Sequence, residues 1–371
     1  MKRTHPQGAY IWQSADWPHF TWNSEALLEP LARLCHVHGL LNGRMDMLGF
    51  NARSQTSLSA MSDELVQSSD IEGLMLNPQS VRSSIARRLG IDDEGLAATD
   101  HYVEGLVNVM LSAIRNCNQP LIAECLFGWH AALFPNGRSG MHRITVAGWR
   151  QGVEPMQVVS GAMGHERVHY QAPPSAQVPS EMESFLNWCN AASLSPFLMA
   201  AVAHFWFVSV HPFDDGNGRI SRTIADMFLA RLDSSGMRYY SVSAEINRNK
   251  KDYYEILELT QRGGMDITGW LLWFFGCVER AIARALATVD RTVKKAAFWD
   301  RFSDVAVNER QRKVLNRLWD GFDGNLTSSK WAKMCHCSQD TALRDINQLL
   351  DTGMLCRAPS SGRSTHYLLP E

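Results

Sequence analysis

Hydrophobic residues recur along most of the chain at the three-to-four-residue spacing of amphipathic helices. Leu27, Leu28, Leu31 and Leu34 form one such stripe within residues 25–36. Further helices are predicted over the ranges 57–74, 80–133, 180–190, 196–210, 219–232, 250–261 and 267 to about 290. The pattern therefore predicts a mainly α-helical protein.

Between residues 143 and 174 the pattern changes to that of strands. Residues 156–160 and 167–170 are rich in β-branched and aromatic side chains and flank a glycine-containing turn, which predicts a β-hairpin. Pro173-Pro174 ends it. The chain shows no alternation of strands and helices, so a doubly wound parallel sheet is disfavoured.

The C-terminal part of the chain shows a third hydrophobic pattern, that of short helices followed by strands. Helices are predicted over 308–319, 328–334 and 338–350, followed by strands over 354–357 and 366–369. Three helices and a two-stranded wing in this order are typical of a winged-helix domain. We therefore predict three parts, which are an N-terminal helical extension (1–79), a helical core with a hairpin (80–300) and a small C-terminal winged-helix α+β domain (301–371).

Composition agrees with a folded, multi-domain protein. The chain has 371 residues, 45% of them apolar and 20% charged, and a net charge of −2. Because a protein that lives on nucleic acid usually carries a basic surplus, any such contact must be local. The eight cysteines lack the spacing of a zinc site, and no apolar leader or membrane-length run appears. We expect a cytoplasmic protein without membrane contact.

Residues 211–222, between two predicted helices, carry the chemistry. Gly216-Asn217-Gly218 lets backbone N–H groups converge at a helix N-terminus, which forms an anion cradle. Arg219 and Arg222 lie three apart on one face of that helix and suit a polyphosphate. Asp215 would repel phosphate unless Mg²⁺ bridges them, and His211 could take a proton from an attacking hydroxyl.

Each of these features is ordinary by itself, since Gly-Asn-Gly turns and structural histidines at helix ends are common. Their combination within twelve residues is not. The segment resembles the Fic motif H-x-F-x-[D/E]-G-N-G-R-x-x-R, and His211, Phe213, Asp215, Gly216–Arg219 and Arg222 all match. Fic proteins are protein adenylyltransferases, most of which transfer AMP from ATP to a Ser, Thr or Tyr hydroxyl of a target protein.

The resemblance implies roles for these residues. His211 is the general base, Asp215 is the Mg²⁺ ligand and Phe213 anchors the loop. The glycines and Arg219 hold the α- and β-phosphates, and Arg222 holds the γ-phosphate. The implied nucleotide-binding segment is Gly216, Asn217, Gly218, Arg219, Ile220, Ser221 and Arg222.

Two flanking segments extend the resemblance. The hairpin is similar to the Fic flap, which holds a target's backbone by strand addition. Its residues Val158, Val159, Ser160 and Gly161 would then border the nucleotide. Tyr253, Tyr254 and Gln261 resemble the segment that closes over the adenine. An ordinary surface hairpin and a packed aromatic core pair are the alternatives.

Ser68-Ser69-Asp70-Ile71-Glu72-Gly73 resembles the Fic inhibitory motif [S/T]-x-x-x-E-[G/N], with Ser68, Glu72 and Gly73 at the defined positions. The resemblance implies that Glu72 pairs with Arg222 and blocks the productive pose of the γ-phosphate. The alternative is a solvated helical glutamate. The aromatic-rich residues 1–55 are similar to an extension found in a bacterial Fic subgroup, and we expect them to brace the inhibitory helix.

These observations predict an adenylyltransferase that uses ATP and Mg²⁺ on a target protein and on itself. A DNA-binding regulator is the rival, but the candidate recognition helix 338–352 carries Arg344 against Asp340, Asp345 and Asp351. A protein-interaction or homodimerisation role for the C-terminal domain is therefore favoured. Another donor, removal of AMP with Glu72 positioning water, and a structural Fic-like protein are further alternatives.

Overall fold

The computed structural model describes residues 10–91, 101–161, 167–233, 237–322, 324–359 and 365–370. The chain forms two compact units, residues 1–285 and 286–371. The last boundary predicted from the sequence lies between residues 300 and 301 instead. The residues on both sides of position 79 belong to the first unit.

The first unit begins with helices whose ends follow local sequence signals. At the start of the first helix, the Asn23 side chain accepts a hydrogen bond from Ala26 N. At the start of the third helix, the Asn77 side chain accepts from Gln79 N and Ser80 N, and Pro78 is the first helical residue. The second helix stops where Gly73 adopts a left-handed φ of +77°. These helices are α1 (Ser24–Asp46), α2 (Phe50–Ile71), α3 (Pro78–Leu89), α4 (His101–Arg115) and α5 (Ala123–Leu133).

Two short antiparallel hairpins follow α5. They are built from β1 (Arg138–Ser139) with β2 (His142–Arg143), and from β3 (Gln157–Ser160) with β4 (Arg167–Gln171). The second is the predicted hairpin, and the structure confirms it. Val158 pairs with Tyr170 and Ser160 with Arg167, with a bulge after Val158. The turn at 162–166 lies outside the described residues.

The rest of the first unit is helical and centres on α7. This helix is apolar all round, and residues 197–210 are buried except for partly buried Leu198, as expected for the core helix predicted there. The elements are α6 (Val178–Ala191), α7 (Pro196–Val210), α8 (Asn217–Ala230), α9 (Val242–Arg248), α10 (Lys250–Gln261) and α11 (Thr268–Arg301). Among the described ranges, no helix has both the length and the apolar character needed to cross a membrane.

The second unit has its own core. Its elements after α11 are α12 (Glu309–Trp319), α13 (Ser328–Cys335), α14 (Gln339–Asp351), β5 (Cys356–Arg357) and β6 (Tyr367–Leu368). This is the predicted order of elements. Trp331 is fully buried among Val314, Ile346 and Leu349. Residues 360–364, within the predicted wing, lie outside the described residues.

One acidic residue of the candidate recognition helix does not face solvent. Asp345 is buried and accepts hydrogen bonds from Arg310 Nε at 2.8 Å and Asn308 Nδ2 at 2.9 Å. Partial burial would raise the pKa of Asp345, but these bonds outweigh it and hold the pKa below its usual value. The negative charge of α14 is therefore smaller at its surface than the sequence suggests.

Replacing Trp331 with Ala should destabilise the second unit. Removing a fully buried indole leaves a cavity that costs about 3–5 kcal/mol. Denaturant unfolding of the full chain should show an early transition for this unit. Leu343→Ala, at a position of α14 that is 39% exposed, is the control and should change little. A loss below about 1 kcal/mol for Trp331→Ala would contradict the assigned core.

Candidate active site

The segment 211–216 reverses the chain between α7 and α8. His211 ends α7 in the left-handed region, with φ 52° and ψ 57°, and Pro212 prevents the helix from continuing. Gly216 immediately precedes α8 and has φ 81°, and a Cβ there would lie 2.8 Å from the Phe134 ring. The loop therefore needs a glycine at this position for both conformation and space.

Asn217 fixes the shape of this loop. Its side chain accepts from Phe213 N at 2.9 Å and donates to Phe213 O at 2.8 Å. Phe213 is fully buried and stacks on His130 with ring centroids 4.2 Å apart. Both polar atoms of the Asn217 side-chain amide thus hydrogen-bond to the main chain of the loop. Phe213 anchors the loop in the core, as expected.

Arg150 holds the same loop from the other side. Its Nε donates to His211 O at 2.7 Å, its Nη2 donates to Pro173 O, and its main-chain N donates to Pro212 O at 2.8 Å. The side chain is buried. Arg150 therefore ties the foot of the β3–β4 hairpin to His211. It lies 61 residues ahead of His211, and no sequence motif pointed to it.

His211 is positioned to act as a base. Its Nδ1 lies 3.1 Å from Val208 O. A carbonyl oxygen only accepts, so Nδ1 carries the proton and Nε2 keeps its lone pair. Burial lowers the pKa of His211 below 6.5 and the Arg150 charge adds to this, while the Val208 carbonyl, Glu72 and Asp215 oppose it. The imidazole is neutral at pH 7, as a general base requires.

Asp215 is half-buried and held by its neighbours. Its Oδ2 accepts from the Ser139 hydroxyl, its Oδ1 from Gly216 N, and its main-chain oxygen lies 3.2 Å from His130 Nε2. Within the described ranges, no three His, Cys, Asp or Glu side chains gather as a metal site. A single oriented carboxylate nonetheless fits Mg²⁺, which binds few protein ligands and takes the rest from phosphates and water.

The two motif arginines are buried at the start of α8. Arg219 Nη1 donates to the Tyr102 hydroxyl at 2.8 Å, and its guanidinium lies 5.0 Å above the Phe134 ring. Arg222 Nε donates to Ser68 Oγ at 2.8 Å. Within the described residues, Arg219 Nε and Arg222 Nη1 make no hydrogen bond. Buried cations with unused donors indicate a site for an anion.

An anion from the chain itself already lies there. Arg222 Nη2 donates at 2.8 Å to Glu72 Oε1 and to the Ser68 carbonyl oxygen. A Cβ on Gly218 would lie 2.1 Å from Glu72 Oε1, so the carboxylate lies directly against the first turn of α8. Burial would lower the pKa of Arg222, but the Glu72 charge outweighs it and raises the pKa. The ion pair expected from the sequence is present.

Helix α2, which carries Glu72 at its end, is fixed to α9. Glu64 is buried and accepts from Ser241 Oγ at 2.8 Å and Ser243 N at 3.0 Å, so its carboxylate caps α9. Asn247 Nδ2 donates to Asp70 Oδ2 at 2.7 Å. These polar contacts set the position from which Glu72 reaches Arg222.

The residues expected at the adenine divide into two groups. Tyr253 is buried, with its hydroxyl 2.9 Å from His204 Nε2, and Gln261 is buried and donates to Ser209 Oγ at 3.1 Å. Both side chains are core contacts between α10 and α7. Tyr254, which was also expected there, is 40% exposed and remains a predicted adenine contact.

The remaining expected nucleotide contacts also differ in exposure. Ile220 is fully buried, and Ser221 Oγ donates to Gly218 O at 2.8 Å, so both side chains stabilise α8. On β3, Val159 and Ser160 are exposed and Val158 is half-buried, while Gly161 follows with φ 111°. These four flap residues remain predicted nucleotide neighbours.

Residues 120–229 match the model of the Fic/DOC family. The chain contains a Fic/DOC domain. Residues 10–91, which carry α1, α2 and Glu72, match a second family described as a domain of unknown function, DUF4172. The Fic match contains the whole 211–222 segment, and the DUF4172 match contains the Ser68–Gly73 segment.

Curated relatives carry the name protein adenylyltransferase Fic. The protein from Drosophila virilis is 33% identical over 104 residues, which is 27% of this chain and 20% of the relative. That from Aedes aegypti is 33% identical over 103 residues, covering 28% of this chain and 19% of the relative. The chain thus spans about a fifth of the length of these relatives.

Solved structures share the fold of the Fic/DOC domain and its surroundings. A Fic family protein from Desulfovibrio desulfuricans gives a TM-score of 0.55 at 19% identity and covers 95% of this chain and 97% of its own. A Fic-domain signalling protein from Bacteroides thetaiotaomicron gives 0.53 at 16% identity, over 71% of this chain and 98% of its own. At these identities the likeness establishes the mainly helical Fic fold.

The buried His204, whose pKa is affected by the charge of Arg222, should make the free energy of unfolding depend on pH. Burial lowers its pKa from 6.5 to about 3, and the Arg222 charge adds to this. Below pH 6.5 the His204 side chain therefore binds a proton in the unfolded chain but stays neutral in the folded chain. The free energy of unfolding consequently falls as pH decreases. Between pH 6.5 and 4.5 this contribution is about 2–3 kcal/mol.

Denaturant unfolding from pH 7.5 to 4.5, compared between the native chain and His204→Gln, measures this contribution. Glutamine retains a polar partner for the Tyr253 hydroxyl but does not titrate. The difference between the two unfolding free energies should shrink or reverse as pH falls. Parallel pH profiles would show that His204 is not held neutral in the folded state.

Proposed function

We propose that this protein transfers AMP from ATP to a Ser, Thr or Tyr hydroxyl of a target protein and of itself. The observation that carries the proposal is the Glu72 carboxylate, which Arg222 holds against Gly218 at the N-terminus of α8. A site that binds one anion there has the charge and the space for the terminal phosphates of a nucleotide. The names of the curated relatives support AMP as the transferred group.

In the proposed reaction, His211 Nε2 accepts the proton of the attacking hydroxyl. The hydroxyl oxygen forms a bond to the α-phosphorus, the bond from that phosphorus to the α,β-bridging oxygen breaks, and pyrophosphate leaves. Arg150 contributes indirectly, because it fixes the main chain at His211 and its charge favours the neutral imidazole. The N-terminus of α8 and Arg219 would stabilise the charge on the phosphates.

Asp215 would hold Mg²⁺, with the Ser139 hydroxyl orienting the carboxylate. Mg²⁺, when bound, neutralises phosphate charge and polarises the reacting phosphorus. Ser139 therefore belongs to the proposed site as a positioning residue for the metal ligand.

The Glu72–Arg222 contact would hold the enzyme inactive. With Arg222 paired, the γ-phosphate lacks its cation and ATP binds in a pose that does not align the pyrophosphate with the attacking hydroxyl. Residues 1–79 would thus form an inhibitory extension of the catalytic core 80–300. Glu72, once displaced, could instead position water for removal of AMP.

The hairpin would dock the target. In the described part of the chain, β3 pairs only with β4, so its outer edge is open to an added strand. Val159 is 48% exposed beside that edge. For residues 301–371 we propose a winged-helix domain for protein interaction or homodimerisation, and salt-dependent binding of duplex DNA to the full chain would favour the regulator instead.

Glu72→Gly should accelerate self-labelling by ATP and Mg²⁺. Loss of the charged hydrogen bond, worth about 1.5–3 kcal/mol, frees Arg222 and should raise the rate about 10- to 100-fold. Intact-mass analysis should show additions of one AMP. Glu72→Gln tests charge alone, and Glu25→Gly, at an exposed position of α1, is the control. If Glu72→Gly is labelled at the same rate as the native chain, the inhibition proposal is wrong.

His211→Ala, made in the Glu72→Gly background, should lower labelling about 10²- to 10⁴-fold, because the general base is lost. Incubation with each NTP in turn identifies the donor. Protein already carrying AMP, incubated without ATP, tests for removal of the group. Labelling that survives His211→Ala would mean that another group takes the proton.

A further inference from the structure

A second polar contact between α2 and α8 lies beside the Glu72–Arg222 ion pair. Asp226 follows Arg222 by one helical turn on α8, and Glu64 precedes Glu72 by two turns on α2. Positions four apart lie on the same face of a helix, so both carboxyl groups lie on the same side as the ion pair. Glu64 and Asp226 are 5% and 6% exposed, and their carboxyl groups lie within hydrogen-bonding reach of each other.

The two carboxyl groups have one cation beside them. Arg238 is buried, and its Nη1 donates to Asp226 Oδ1. Glu64 accepts from neutral donors, which are Ser241 Oγ and the main-chain N and hydroxyl of Ser243. If both carboxyl groups were ionised, two negative charges would face one positive charge in the protein interior, and such an uncompensated charge is costly.

The pair therefore retains one proton near neutral pH. A hydrogen bond between two carboxyl groups needs that proton, because an ionised carboxylate only accepts. Burial raises the pKa of Asp226 to about 8, against the opposing charge of Arg238 and with the added effect of Glu64. Because the two groups are coupled, the proton belongs to the pair and leaves it as pH rises through this value.

The ionisable groups nearest the pair keep their charge between pH 7 and 9. Tyr240 lies with its ring centroid 4.8 Å from the Arg238 guanidinium, and burial raises the pKa of its phenol well above the usual value. His204 on α7 is neutral in this range, because burial lowers its pKa to about 3. Burial would also lower the pKa values of Arg222 and Arg238, but their carboxylate partners outweigh it and raise both.

Other titratable groups on the neighbouring elements interact with partners away from the pair. These are exposed Asp63 of α2 with Arg248 of α9 and Arg82 of α3, Asp233 with His38 of α1, Tyr102 of α4 with Arg219, and His130 of α5 with the Asp215 main chain. The proton that leaves this part of the core near pH 8 therefore comes from the Asp226–Glu64 pair.

We propose that the proton shared by Asp226 and Glu64 holds the inhibitory helix in place, so that inhibition by Glu72 is relieved at alkaline pH. The proposal rests on the proposed function and concerns the regulation of the same site. With the proton present, the two carboxyl groups share a hydrogen bond and α2 stays against α8. When the proton passes to water, two adjacent carboxylates repel each other and α2 moves away from α8.

This movement reaches Arg222 through α2 itself. Glu64 and Ser68 lie in α2 and Glu72 at its end, so a shift at Glu64 displaces both residues that bind Arg222. The released guanidinium can then hold the γ-phosphate. Coupling between two sites typically changes an affinity roughly 5- to 150-fold, and we expect a change of about tenfold in the extent of inhibition.

Self-labelling of the full chain with ATP and Mg²⁺ between pH 6.5 and 9.5 tests the proposal. At each pH, the rate for Glu72→Gly divided by the rate for the native chain gives the extent of inhibition, and the pH dependence of the chemistry cancels. This ratio should fall about tenfold between pH 7 and 9.5. Asp226→Asn, added to both chains, should make the ratio independent of pH, because the amide donates to Glu64 and accepts from Arg238 at every pH. Glu25→Gln, at an exposed position of α1, is the control and should retain the fall.

The outcomes distinguish this proposal from the function it rests on. A ratio that does not vary with pH, or that falls equally with Asp226→Asn, would overturn the proposal and leave AMP transfer intact. A ratio of one at every pH would show that Glu72 does not inhibit and would remove the proposal together with the inhibition. No labelling of any variant at any pH would count against the proposed function itself.

Amide hydrogen exchange of α2 tests the movement without a nucleotide. After correction for the intrinsic pH dependence of exchange, the protection of α2 should fall between pH 7 and 9.5 in the native chain and stay constant in Asp226→Asn. Exchange in α6 serves as the internal control and should change in neither protein. Equal protection of α2 at both pH values in the native chain would overturn the proposal, whatever the labelling shows.

Discussion

A buried guanidinium, that of Arg222, sets the requirement that the rest of the site meets. A charge removed from water is tolerated only when paired and hydrogen-bonded. In this structure the pairing comes from α2, through Glu72 and the hydroxyl and carbonyl of Ser68. Arg222, the cation of the proposed phosphate site, and the end of α2 are thus two halves of one contact.

In the proposed inhibition, two anions, the Glu72 carboxylate and a phosphate of the nucleotide, compete for this contact. Glu72 reaches Gly218 because no side chain stands there, and a phosphate would need the same space. The position of the carboxylate depends on polar contacts far from the motif, where Glu64 caps α9 and Asp70 accepts from Asn247. A change that loosens α2 from α9 would therefore act on Arg222 without touching it.

The sequence predicted what lies close together along the chain. The helices on both sides of the 211–222 segment and the two arginines follow from local pattern, and the hairpin follows from its β-branched and aromatic residues around a glycine-containing turn. Arg150, Ser139 and Tyr102 were missed, because each reaches the loop across 60 residues or more and carries no periodic signal. The sequence also did not predict which side chains are buried. Tyr253 and Gln261 match positions of the resemblance, but their side chains face the core.

The central claim is that Glu72 competes with the γ-phosphate for Arg222. Calorimetric titration of ATP and ADP into the native chain and into Glu72→Gly measures this directly, because the two nucleotides differ only in that phosphate. The account predicts similar affinities for ATP and ADP in the native chain and a preference for ATP of about tenfold, or 1.4 kcal/mol, in the variant. The same ratio of affinities in both proteins would contradict it.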